Sequence, residues 1–102
     1  MKLNYKISED QEDLIVNLTG DLDAYSSEDF KTEVLKSLTT PKNIVIDANK
    51  LEFIDSTGLG SLISIYNKVK EENNKITIIN MKSNVKKIFE ITELDKVFNI
   101  ME

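Results

Sequence analysis

The run Asn43-Ile44-Val45-Ile46-Asp47 sets three β-branched residues side by side with no polar residue between them. A strand with one solvated face alternates apolar and polar residues, so this unbroken run predicts a strand buried on both faces, central in a partly parallel sheet. Parallel neighbours need crossover connections, usually helical and right-handed, and the flanking segments are built to supply one. Ile76-Thr77-Ile78-Ile79 repeats the buried-strand pattern, and from Ser56 the residues Leu59, Leu62, Ile63, Tyr66 and Val69 fall at i, i+3, i+4, i+7 and i+10. That spacing predicts a helix with one face for the sheet, ended by Glu71-Glu72-Asn73-Asn74.

Upstream, Leu3, Tyr5 and Ile7 alternate with polar residues, and Leu14 to Leu18 follow the acidic turn SEDQED, which predicts a hairpin whose second strand ends at Gly20. Ser26 or Ser27 then caps a helix with Phe30, Val34, Leu35 and Leu38 on its inner face. Glu28 and Asp29 suit the positive end of its dipole, and Thr39-Thr40-Pro41 stops it. Downstream, Ser83 or Asn84 caps a third helix that buries Val85, Ile88 and Phe89, with Leu94, Val97 and Phe98 closing the chain. The expected order is ββαβαβα, a small α/β sandwich with a mixed sheet of four to five strands. With 102 residues, 40% of them hydrophobic, one domain spanning 1–102 is expected, since a second core would not fit.

Composition removes most familiar chemistry. Histidine and cysteine are both absent, which takes away the commonest general base, thiolate nucleophiles and the usual zinc ligands. All 13 cationic residues are lysine and the net charge is −5, so guanidinium clamping of phosphates is excluded and nucleic acid is not an expected partner. No apolar run approaches the ~20 residues that span a bilayer, and the amino-terminal stretch MKLNYKISEDQED has no apolar signal core. A cytoplasmic protein without metal, cofactor or membrane partner is expected.

Two of the 3 glycines stand in FIDSTGLGSL, Phe53 to Leu62, where a helix begins. Glycine inside a helix costs roughly 0.5–1 kcal/mol relative to alanine, so Gly58 and Gly60 point to close approach of something bulky to the hydroxyls of Ser56 and Thr57. The plain alternative is that Ser56 is only the N-cap of an ordinary helix. A phosphate-binding P-loop would require Gly-Lys-Ser/Thr, which is missing. A nucleophile elbow would require Gly-x-Ser-x-Gly and a histidine. Ser56 is therefore better suited to receive a phosphoryl group than to perform chemistry, and a helix amino terminus tolerates the added phosphate.

The second motif is GDLDAYSS, in which Asp21 and Asp23 follow an apolar strand. An EF-hand would need an oxygen ligand at 25 and glycine at 26, where this chain has Tyr25 and Ser26. Asp-x-Asp after a strand also suggests a phosphoaspartyl phosphotransferase. Against that reading stand Tyr25 in place of Thr or Val, Gly20 breaking the strand, and too little chain for a cap and a second acidic pair. The plain alternative is a solvated strand-to-helix turn.

Together the two motifs resemble the STAS domain family and, within it, the bacterial anti-sigma factor antagonists. GDLDAYSSEDF resembles the family's turn after the second strand, FIDSTGLGSLI its Asp-Ser-(Ser/Thr/Ala)-Gly-Leu-Gly signature, and ITELDKVFNI its closing Thr-x-Leu-x-x-x-Phe pattern. The resemblance implies a partner switch: the unmodified protein binds an anti-sigma factor that is also a serine kinase and so frees a sigma factor. Phosphorylation ends the interaction, and a serine phosphatase resets it. It implies Ser56 as phosphoacceptor, Asp23 as the acidic residue near it, and Gly58, Leu59 and Gly60 lining the partner surface, with Asp21, Tyr25, Ser26, Asp55, Thr57 and Ser61 beside them. Thr57 makes the site resemble the general-stress antagonists. The same motif also occurs in STAS modules that switch targets other than sigma regulators.

Overall fold

The computed structural model describes residues 1–101. Five strands form one sheet in the order β1-β2-β3-β4-β5. They are β1 (Asn4–Glu9), β2 (Asp13–Leu22), β3 (Asn43–Ile54), β4 (Ile76–Ile79) and β5 (Asn99–Met101), interleaved with α1 (Ser27–Ser37), α2 (Ser56–Glu71) and α3 (Ser83–Ile91). β1 and β2 form the antiparallel hairpin, and every later pairing is parallel. β3 is the central strand, as its β-branched run predicts, and the crossover through α2 places β4 parallel to it.

Only one face of the sheet is covered by helices, which corrects the expectation of a strand buried on both sides. Ile44, Ile46 and Ala48 are buried, while Val45 and Asp47 between them are half-buried. Phe30 and Val34 of α1, Leu62 and Val69 of α2, and Val85 and Phe89 of α3 share a single core with the inward residues of β2, β3 and β4. Val45 has β-branched shape without helical cover, which is why a run of β-branched residues overstates burial. On α2 the structure adds Ile65, fully buried, to the inward face, and leaves Ile63 and Tyr66 only partly buried.

Three further boundaries differ from expectation. The chain closes with a fifth strand: after a 3₁₀ turn at Leu94–Lys96, Phe98 packs edge-on against Tyr66 at 5.5 Å and Phe89 at 5.8 Å, and the next residues pair with β4. A three-residue strand carries too little periodicity to be read locally. The cap of α3 is Lys82, in extended backbone, whose carbonyl accepts from Lys86 N at 2.9 Å, so Ser83 is already helical. β2 does not end at Gly20 but runs on to Leu22, with register shifts against β3 on either side of Thr19 and Gly20. Gly20 has φ +100°, and a Cβ there would lie 2.4 Å from the Lys2 carbonyl oxygen. Glycine permits this positive φ and the close approach of Lys2, and lets the strand continue instead of breaking it.

Candidate functional site

The end of β2 and the bulged end of β3 finish side by side, with Leu22 opposite Ile54, at the carboxyl edge of the sheet. Each strand runs directly into a helix, so the turn of residues 23–26 before α1 and the first turn of α2 are neighbours. Asp55 is the hinge between strand and helix. Its backbone is extended, its N–H donates to the Leu22 carbonyl at 3.3 Å, and its own carbonyl accepts from Leu59 N at 2.9 Å. One carboxylate oxygen, Oδ1, accepts from Gly58 N at 2.9 Å, an N-cap bond.

This geometry corrects the expectation that Ser56 is the cap. Asp55 holds that position, so Ser56 and Thr57 are the first two helical residues, and both are exposed. The Asp three residues before Gly58 is itself a signal that could have identified the cap, since an N-cap side chain reaches the N–H three residues on. Ser56 and Thr57 N–H groups lie at the helix mouth, where the first turn has no intrahelical acceptors.

The two glycines have different jobs. Gly60 faces open space, with nothing within 4 Å of where a Cβ would stand, whereas a Cβ on Gly58 would lie 2.3 Å from the Leu22 carbonyl oxygen. Gly58 is buried and lets α2 sit against the end of β2, so it serves internal packing. Leu59, 7% exposed, and Ser61, 6% exposed, also face inward, and Ser61 Oγ donates to the Gly58 carbonyl at 2.7 Å.

In the neighbouring turn the polar side chains are engaged with backbone. Asp23 Oδ1 accepts from Tyr25 N at 3.0 Å, and Ser26 Oγ accepts from Asp23 N at 3.1 Å while donating to the Asp21 carbonyl at 3.0 Å. Asp21 pairs with the amino group of Met1. That pairing raises the pKa of the Met1 amino group, the Asp21 hydrogen bond being the main cause. Tyr25 projects from the turn, 97% exposed. Phe53, 46% exposed and in register with Asp21, is an apolar neighbour that sequence reading missed, because its position in β3 reads as core. A hollow of about 540 Å³ adjoins the turn, lined in part by Tyr5, Asp21, Asp23, Tyr25 and Asp29. Among the described residues no group of three or more Asp or Glu side chains is gathered to hold a metal ion, and no helix is long and apolar enough to cross a membrane.

The STAS domain family model matches residues 4–102. The chain belongs to the STAS domain family. This STAS domain is 24% identical over 100 residues to the anti-sigma-B factor antagonist of Bacillus subtilis, covering 98% of this chain and 92% of that protein. Among solved structures it resembles an anti-sigma factor antagonist from Mycobacterium paratuberculosis, with a TM-score of 0.86 at 20% identity over 98% of this chain and 86% of that one. It also resembles the phosphorylated form of the Bacillus cell fate determinant SpoIIAA, with a TM-score of 0.77 at 18% identity over 96% of this chain and 89% of that one. The structural likenesses concern the fold. They place the mixed five-stranded sheet and its helices within the STAS architecture.

Proposed function

We propose that this STAS domain is a cytoplasmic anti-sigma factor antagonist that works by partner switching, with Ser56 as its phosphoacceptor. The observation that carries the reading is the exposed Ser56 hydroxyl on the first turn of α2, flanked one turn on by the bare backbone of Gly60. Its end-to-end similarity to the Bacillus subtilis anti-sigma-B factor antagonist supports the same role. In this reading the unmodified chain binds an anti-sigma factor with serine kinase activity through Ser56, Thr57, Gly60 and the Asp21–Ser26 turn. A serine phosphatase restores the binding form.

The physics of the switch is electrostatic. Phosphorylation adds about −1.5 to −2 charges at pH 7, next to Asp55 and close in the fold to Asp21 and Asp23. At an effective dielectric near 20, each pair of unit charges about 6 Å apart costs roughly 3 kcal/mol before salt screening. The helix mouth offsets part of this in the free protein by offering N–H groups to the phosphate. A partner that covers the site removes water from the dianion, and the offset no longer suffices. The decisive experiment is peptide-resolved mass spectrometry after incubation with the kinase and Mg-ATP, together with binding of the modified and unmodified forms.

The reading also forecasts no catalytic turnover by the chain itself. The Asp21 carboxylate is held by the Met1 amino group and that of Asp23 by the Tyr25 N–H and the Ser26 hydroxyl, an arrangement that suits structure better than phosphoryl transfer. Incubation with a chromogenic phosphate ester and Mg²⁺ is expected to release no product above background. Sustained hydrolysis that disappears in an Asp21→Asn variant would overturn the antagonist reading in favour of a phosphotransferase.

A further inference from the structure

The Asp55 carboxylate is shared between two elements. While Oδ1 caps α2 through Gly58 N at 2.9 Å, Oδ2 accepts from Ala24 N at 3.2 Å, 31 residues away in sequence. Both distances lie in the ordinary N–H···O range, and a charged acceptor strengthens each bond. Within the turn, the other bonds are local. Tyr25 N goes to Asp23 Oδ1, and Ser26 N and Ser27 N go to the Asp23 carbonyl at 3.2 and 2.9 Å. The Ala24–Asp55 bond therefore joins the middle of this turn to the helix that carries Ser56.

We infer that Asp55 is a positioning residue: it holds the Tyr25 turn at a fixed place beside Ser56, so that the exposed ring and the hydroxyl form one preorganised docking surface. Tyr25 is almost wholly exposed and lacks packing of its own to fix it. A turn held before binding loses less freedom on association, which raises affinity without any added contact. The partner is the serine kinase of the proposed function, and to that extent the inference rests on that reading. It departs from the expectation that Asp55 itself contacts the partner, because both carboxylate oxygens are already engaged within the chain.

Asp55→Asn separates the two bonds. Asparagine caps a helix about as well as aspartate, so Oδ1 keeps Gly58 N, but the second group becomes an NH₂ donor facing the Ala24 N–H donor. Asp55→Ser provides a second test, since one short hydroxyl caps the helix and cannot also reach Ala24. In both variants the helix amides of Gly58 and Leu59 are expected to keep their hydrogen-exchange protection. The ¹⁵N order parameters of Ala24 and Tyr25 are expected to fall from the rigid value of about 0.85 towards about 0.6. The dissociation constant for the kinase that binds the wild-type chain is expected to rise roughly three- to tenfold, the range of one net hydrogen bond.

Wild-type order at Ala24 and Tyr25 in both variants overturns the inference, and so does mobility at those residues with unchanged kinase affinity. Loss of protection at Gly58 in step with Ala24 also overturns it, because Asp55 would then act as a cap alone. These outcomes are separate from failure of the functional reading. A wild-type chain that no serine kinase modifies at Ser56 refutes that reading, while the relaxation measurement on the isolated chain still decides whether Asp55 holds the turn.

Discussion

Incubated with the proposed partner kinase and Mg-ATP, the chain is expected to take up one phosphate, on Ser56, and to release the kinase. The physical basis is reach and charge. Ser56 is exposed on the first turn of α2, and its unbranched side chain is freer at χ1 than that of the β-branched Thr57 beside it. A repulsion of about 3 kcal/mol before salt screening corresponds to roughly a hundredfold loss of affinity, so the modified form is expected to bind up to about a hundredfold more weakly. Ser56→Ala is expected to resist modification and to bind constitutively, and Ser56→Asp to bind weakly. Peptide-resolved mass spectrometry and calorimetric titration read these outcomes. Phosphate found on Thr57, or a Ser56→Ala chain modified at the normal rate, would show that the acceptor is the other hydroxyl of this turn.

The two glycines of the same turn are expected to respond to substitution in opposite ways. In Gly58→Ala the new Cβ meets the Leu22 carbonyl oxygen at 2.3 Å and Ile54 Cγ1 at 2.9 Å. Backbone cannot give way as a flexible side chain does, so a cost of about 2 kcal/mol or more is expected, after the gain in helix propensity is counted. For a chain of this size that lowers the melting midpoint by roughly 8–16 °C. At Gly60 a side chain enters open space, and replacing glycine in an exposed helix stabilises it by up to about 1 kcal/mol. Gly60→Lys is therefore expected to melt at or slightly above the wild-type temperature and to lose kinase binding, because the lysine occupies the bare flank beside Ser56. Thermal melts followed by circular dichroism separate the two effects. A Gly58→Ala chain that melts like wild type would show that α2 shifts freely off β2, and a Gly60→Lys chain that still binds would remove Gly60 from the partner surface.

Most of the architecture could be read locally because local chemistry produces it. The spacing of Leu59, Leu62 and Val69 makes α2 amphipathic wherever it packs, and Ile76 to Ile79 prefers extended backbone. Helical crossover length then leaves β3 and β4 little choice but parallel pairing. The motifs around Asp23 and Ser56 were legible for the same reason, as short patterns of turn residues and hydroxyls at the ends of apolar strands. They marked where the chain would present a surface.

What the tertiary structure decided is which members of those motifs reach that surface. Gly58 and Gly60 are chemically identical and two residues apart, yet the helix turns one onto the Leu22 carbonyl and the other into solvent. Leu59 and Ser61 follow Gly58 inward. The cover over β3 was likewise beyond local reading, since β-branched residues suit a pleated strand whether or not a helix lies on them, and Val45 has none. β5 exists because Phe98 finds Tyr66 and Phe89, a contact between residues up to 32 positions apart. The bond from Ala24 to Asp55 depends on two register shifts, each adding one residue to β3 against β2, that bring Leu22 level with Ile54, and register of that kind is set by long-range pairing. Periodicity along the chain records which residues prefer to be buried, whereas the side of a turn that faces solvent is fixed only when distant elements close upon it.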